Sequence, residues 1–157
     1  MSSGTSDGAG TNALFASPYA VSYGLTTNPA VSTLFVADSG NGLIRRIALA
    51  SPFISSPVVG PVVTTLAGGG TSGTDGTGTN AVFGFPTGVA FGRIGGTDTL
   101  FVADASLHLV RQIVVSSAAV TTLAGQASAG NFEAVGTNAK FQTPFSVTFF
   151  SEGFDVL

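Results

Sequence analysis

Asp7-Gly8-Ala9-Gly10-Thr11-Asn12-Ala13-Leu14-Phe15, followed by Pro18, returns as Asp75-Gly76-Thr77-Gly78-Thr79-Asn80-Ala81-Val82-Phe83, followed by Pro86. A shorter third copy reads Gly136-Thr137-Asn138-Ala139-Lys140-Phe141, followed by Pro144. A pattern of this length that keeps its downstream proline marks a repeat array, in which each unit is one supersecondary element.

Three further elements recur in the same order. Leu34-Phe35-Val36-Ala37-Asp38 returns as Leu100-Phe101-Val102-Ala103-Asp104, and Leu43-Ile44-Arg45-Arg46-Ile47 as Leu109-Val110-Arg111-Gln112-Ile113. Val63-Thr64-Thr65-Leu66-Ala67-Gly68 returns as Val120-Thr121-Thr122-Leu123-Ala124-Gly125. The first period is the longer one because a Pro-rich stretch, residues 51–61, is inserted between Arg45 and Thr65. In a surface loop such extra length costs little.

Each unit holds four short apolar segments punctuated by Gly, Asn, Asp and Pro, the signature of strands and turns. They are residues 20–23, 33–38, 43–48 and 62–67, then 88–92, 99–104, 109–115 and 119–124. In 34–37 and 100–103 both sets of alternating side chains are apolar. Both faces of such a strand must be covered, since burying one large apolar side chain is worth about 1.5–3 kcal/mol. A four-stranded unit covered on both faces is a propeller blade.

The Pro86-Thr87-Gly88-Val89-Ala90-Phe91 stretch, the two Leu-Phe-Val-Ala-Asp strands, the Arg45 and Arg111 segments and the Val-Thr-Thr-Leu-Ala-Gly endings together resemble the NHL family of β-propellers. The similarity is to its longer-period form with a D-G-x-G-T-N-A-x-F linker, and it covers nearly the whole chain. It implies an all-β fold with blades of four antiparallel strands, about two and a half repeats. One blade falls over 5–68, a second over 69–125 and a partial third over 126–157, in a single array over 1–157. Departures are modest: Tyr19-Ala20 stands where the second unit has Thr87-Gly88, and no third Leu-Phe-Val-Ala-Asp segment appears.

Composition narrows the function. Of 157 residues 44% are hydrophobic and only 8% charged, yet no apolar run approaches the roughly 18–20 residues of a spanning helix, so no membrane insertion is expected. The net charge is −3 with five Lys and Arg, and Arg45-Arg46 is the single adjacent basic pair. That argues against nucleic acid as a partner and against polybasic membrane attachment. With no cysteine there is neither a disulfide framework nor a thiolate metal site. Met1-Ser2-Ser3-Gly4 has neither the basic nor the apolar region of a signal peptide. The compartment stays open, and the composition leans toward an extracellular or cell-surface setting.

The recurring polar residues read as scaffold. Asp38 and Asp104 end a strand, where a carboxylate accepts turn N–H groups. Arg45 and Arg111 follow across the hairpin, placed to bond those carboxylates and pin the edge of the unit. Asn12, Asn80 and Asn138 are expected to bond locally and shape the connection between units. The Asp75 linker lacks a P-loop lysine and a following helix, and calcium needs several clustered carboxylates, whereas Asp75 stands alone. His108 is the only histidine, so neither a multi-histidine metal site nor a Ser-His-Asp set is indicated. It reads as a turn residue. The expectation is no cofactor, no metal and no enzymatic activity.

Closed propellers need at least about four blades, so this array does not close a ring by itself, and its end faces would stay apolar. Exposed patches of that kind mark interfaces. The expectation is self-association, or contact with further repeats of the same chain, in a structural scaffold such as an extracellular fibre, filament or coat component. Phe145, Val147, Phe149, Phe150, Phe154 and Leu157 are the assembly candidates, adding to a neighbouring copy by strand addition. The alternative is a recognition propeller binding a protein or glycan through loops at 51–61 and 90–99, as a fragment of a larger multi-repeat protein.

Overall fold

The structure, a computed structural model, describes residues 3–27, 30–49, 60–71 and 75–150. It contains two antiparallel five-stranded sheets. The first is built from β1 (Gly8–Ala9), β2 (Pro18–Thr27), β3 (Ala30–Asp38), β4 (Leu43–Ala48) and β5 (Val62–Gly68), in the order β1-β5-β4-β3-β2. The second repeats it with β6 (Gly76–Thr77), β7 (Pro86–Ile94), β8 (Thr97–Asp104), β9 (Leu109–Val114) and β10 (Ala119–Ala124), in the order β6-β10-β9-β8-β7. Among the described residues there is no α-helix, and the two sheets do not close into a ring.

Each sheet has one strand more than the four expected. The linker supplies it: Gly8 and Ala9 pair with Val63 and Val62, while Gly76 and Thr77 pair with Val120 and Ala119. Two residues are too few to show a period of two, so the pattern could not reveal them. They pair because β5 and β10 would otherwise present an open row of backbone donors and acceptors. The segment 90–99, taken from sequence as a loop, is a hairpin instead. β7 and β8 stay in register out to Ile94 and Thr97, because Gly95 and Gly96 (φ 54° and 81°) make a two-residue turn with both φ positive.

The sheets stack with β2 against β7. Between them lie Phe35, Ala37, Ile44 and Ala67 from the first sheet and Val89, Leu100, Val102 and Ile113 from the second, with Ala81 and Phe83 of the connection. Phe91 of β7 lies flat on Phe35 of β3, the ring centroids 5.7 Å apart and the planes 4° from parallel. Residues 144–150 repeat that arrangement on the far side of the second sheet. There Phe149 stacks on Phe101 of β8 at 5.4 Å and 4°. So the segment corresponding to β2 and β7 in the third unit covers the second sheet, although it pairs with no strand among the described residues.

Glycine makes room for each ring. A Cβ at Gly24 would come within 2.5 Å of the Phe91 ring, and one at Gly92 would meet the Phe149 ring just as closely. Phe91 is thus seated on Phe35 beside Gly24, and Phe149 on Phe101 beside Gly92.

Candidate functional site

Two features of the fold are candidates for function: the buried Asp–Arg clusters that recur in each unit, and the outer face of β2.

In the first unit Asp38 ends β3 with its side chain fully buried. One carboxylate oxygen accepts the Ala16 N–H at 2.8 Å, and the other accepts Asn41 Nδ2 at 2.8 Å and Arg45 Nη1 at 3.0 Å. Arg45, also fully buried, donates to the carbonyls of Leu14 and Ser6 and to Asp7 Oδ1 at 2.8 Å, and its guanidinium lies over the Phe15 ring. In the second unit Asp104 accepts the N–H groups of Gly84, Phe85 and Leu107. Arg111 donates to the Val82 carbonyl and to Asp75 Oδ1 at 2.9 Å, with Phe83 beneath it.

The hairpin pairing expected for Asp38 and Arg45 is therefore present. What sequence reasoning missed is the second carboxylate. Asp7 and Asp75 open the linker, clamp the arginine, and reach across to Thr65 and Thr122 of the outer strand. The signal was their recurrence at the head of the linker motif, where Glu133 holds the corresponding place in the third unit. Partial burial pushes the Asp7 carboxyl up, but the hydrogen bonds from the Thr65 N–H, Arg45 and the Thr65 hydroxyl outweigh it and hold the group below its ordinary range.

The linker asparagines sit in single 3-10 turns, Gly10–Asn12, Gly78–Asn80 and Gly136–Asn138. Each turn is closed by the backbone, from the following alanine N–H to the glycine carbonyl. His108 occupies the left-handed position (φ 60°) that Gly42 (φ 62°) fills in the first unit. Its Nδ1 accepts the Thr143 N–H at 3.2 Å, tying the third unit to the hairpin of the second. No group of three or more His, Asp or Glu among the described residues is arranged to hold a metal ion. No helix among them is long and apolar enough to cross a membrane.

The second feature is a contrast between equivalent strands. On β7 both faces are covered from Pro86 to Gly92, and Val89 is 6% exposed. Its counterpart on β2, Val21, is 60% exposed, and Tyr23 and Leu25 on the same face are exposed as well, whereas Tyr19 at the start of the strand packs its ring edge-on against Phe85 and Phe145. Tyr23 corresponds to Phe91 and Phe149, the two seated rings, but it has no ring beneath it among the described residues and reaches Ser32 Oγ at 3.1 Å. A shallow dent of about 170 Å³ lies between Tyr19 and Val21 over Val36. The outer face of β2 is a ring and its flanking apolar residues with no seat.

The fold is shared with two solved bacterial proteins. One is a structural-genomics protein of unknown function from Bacteroides thetaiotaomicron, 21% identical, with a TM-score of 0.59 over 82% of this chain and 32% of its own. The other is an auxiliary nutrient binding protein from the same organism, 18% identical, with a TM-score of 0.62 over 76% of this chain and 30% of its own. The chain thus spans about a third of the length of either. No protein-family model and no curated protein matches the sequence.

Of the assembly candidates, Phe149 is seated inside the chain, and Phe145 lies edge-on to Tyr19 at 5.6 Å. Val147 faces the second sheet half-buried, whereas Phe150 is 80% exposed. Phe154 and Leu157 lie outside the described residues, as does most of the 51–61 insertion.

Proposed function

We propose that this chain is a segment of an NHL-type β-propeller that serves as a non-catalytic, self-assembling scaffold. The observation that carries the reading is the bare outer face of β2. The seam between successive units is made twice in the same way, a ring laid on a phenylalanine beside a glycine, and β2 presents the same ring side without a covering sheet. An apolar strip of this kind, on a strand whose counterpart is buried, fits a contact made between chains or between repeats. The fate of the recurring charges supports the non-catalytic part. Asp38, Asp104, Arg45 and Arg111 are fully buried and spend their hydrogen bonds on the backbone and on one another or on linker carboxylates, which is structural use.

The test is the native mass by light scattering with negative-stain imaging, on the wild type and on Val21→Glu. A discrete oligomer or filament that Val21→Glu reduces to single chains supports the scaffold. A monomer at every concentration overturns it and moves the reading to recognition. The likeness to a chain named as a nutrient binding protein favours that second reading, in which these units form part of a larger propeller that binds a protein or glycan.

A further inference from the structure

At the end of the seam between the two sheets lies a polar cleft of about 310 Å³. Thr26, Thr27 and Arg46 of the first sheet form one wall; Thr97, Asp98, Val115 and Ser116 of the second form the other. Its charges are unevenly used. Asp98 accepts the Thr27 N–H at 2.6 Å, the Thr27 hydroxyl at 2.9 Å and Arg93 Nε at 3.0 Å, so its negative charge is neutralised on the spot. Arg46 is the opposite case. Its Nε is buried without a hydrogen-bond partner, and no ion pair among the described residues involves it. Arg45 and Arg111 share the unpaired Nε, but their outer nitrogens are bound to carboxylates.

The fold does not ask for this cation. The position equivalent to Arg46 in the second unit is Gln112, with the same place in its strand: Arg46 pairs with Phe35 and Thr64, and Gln112 with Phe101 and Thr121. The buried Nε is out of a ligand's reach, but the two outer nitrogens of Arg46, bound to no carboxylate among the described residues where the repeat manages with an amide, are a donor pair for a planar acceptor. Guanidinium recognises carboxylate through two parallel N–H···O bonds. One net positive charge beside a neutralised Asp98 suits a monoanion better than a dianion. The cleft lies at the small end of the roughly 300–1,000 Å³ range of ligand sites, the scale of one sugar ring. Thr97 and Ser116, both exposed, are among the residues that line it, together with Val115.

We propose that this cleft binds a small carboxylate-bearing polyol, a uronic acid, with the carboxylate on Arg46 and ring hydroxyls on Thr97 and Ser116. The site is independent of the scaffold proposal, because both walls belong to one chain and the binding is read whatever the particle mass.

The experiment is calorimetric titration of the full chain with D-glucuronate, D-glucose and inorganic phosphate, on the wild type and on Arg46→Gln. That substitution installs the side chain the second unit already carries, so the fold tolerates it. Glucuronate is expected to bind and to lose about tenfold or more in affinity in Arg46→Gln, the cost of a charge-assisted hydrogen bond. Glucose should bind more weakly than glucuronate by a similar factor. Absence of glucuronate binding, or equal binding by Arg46→Gln, overturns the proposal. Tighter binding of phosphate than of glucuronate also overturns it, by reducing the cleft to a simple anion site.

Discussion

Replacing Gly24 by alanine puts a methyl group 2.5 Å from Cγ and 2.6 Å from Cδ2 of Phe91. Carbon atoms settle about 3.5–4.0 Å apart, so the ring must retreat by about 1 Å. It has little freedom to do so, being stacked on Phe35 at 5.7 Å with the planes 4° apart. Overpacking of this kind costs about 1–3 kcal/mol, and a disturbed aromatic pair adds up to about 1.5 kcal/mol. Against that stands a gain of about 0.4–1 kcal/mol from restricting the unfolded chain. The net expectation is a loss of about 1–3 kcal/mol, read as a lower midpoint in urea at unchanged slope. The assay gains its power from a cycle with Phe91→Leu. Once the ring is gone the methyl group has room, so Gly24→Ala should be close to neutral in that background, with a coupling energy of about 0.5–3 kcal/mol. A neutral or stabilising Gly24→Ala in the wild type, or additive effects in the cycle, would refute the seam geometry.

Asp38→Ala removes a partner of the fully buried Arg45 and should cost about 3–5 kcal/mol in urea unfolding. Asp7→Ala acts on the same arginine, but Asp7 is 48% exposed, and a loss of about 1 kcal/mol is expected. Burial pushes Asp98 up, yet hydrogen bonds from the Thr27 N–H, Arg93 and the Thr27 hydroxyl hold it below its ordinary range, as with Asp7. A depressed carboxyl contributes stability that is complete above the unfolded value of about 3.9 and is lost as pH falls through the folded one. Thermal unfolding should therefore be flat in this respect from neutrality down to about pH 5 and fall below about pH 4, less steeply in Asp98→Asn. Ala118 sits in the left-handed region (φ 55°), and Ala118→Gly relieves strain of about 1–2 kcal/mol against about 0.4–1 kcal/mol lost to a freer unfolded chain, so a small rise in melting temperature is expected. His108→Gly relieves similar strain but loses the bond from the Thr143 N–H, so its gain should be smaller.

How much of this was legible in the sequence depended on the length over which each signal repeats. The longer strands show an apolar pattern that survives on its own, and β4 was placed residue for residue at Leu43–Ala48. β2 runs over Pro18–Thr27, beyond the 20–23 read from the sequence, although Val21, Tyr23 and Leu25 alternate with Ser22, Gly24 and Thr26 out to its end. The two-residue strands β1 and β6 carry no periodicity at all and form only because an open sheet edge is there to receive them. The Asp38–Arg45 pair was legible because both residues recur at fixed spacing within one hairpin. The clamp from Asp7 was not, since it arrives from 38 positions earlier and depends on the linker folding back. The cleft around Arg46 could not be read either, because its walls come from both units and only their stacking brings Arg46 opposite Ser116. The departure of Arg46 from Gln112 was the one trace of it in the sequence.

The seam also has a direction. Each unit lays its ring on the preceding sheet and offers a glycine to the ring of the next: Phe91 rests beside Gly24, and Phe149 beside Gly92. In the third unit the position equivalent to Gly24 and Gly92 is Phe150, 80% exposed on the side away from the second sheet. A ring approaching there as Phe91 approaches Gly24 would meet a benzyl group instead of open space. The third unit thus lacks the glycine that the first two seams use, while β2 still presents a ring without a seat. If copies of this chain associate through β2, Tyr23 of one copy would meet the Phe150 ring of the next where Phe91 meets Gly24, so the internal seam is not reproduced there unchanged. Pairing of one β2 face with another about a two-fold axis would give a closed dimer and not a filament. The particle mass therefore distinguishes more than scaffold from monomer: a dimer fits the β2 faces alone, and a filament requires a second surface, for which the exposed Phe150 is the residue to mutate.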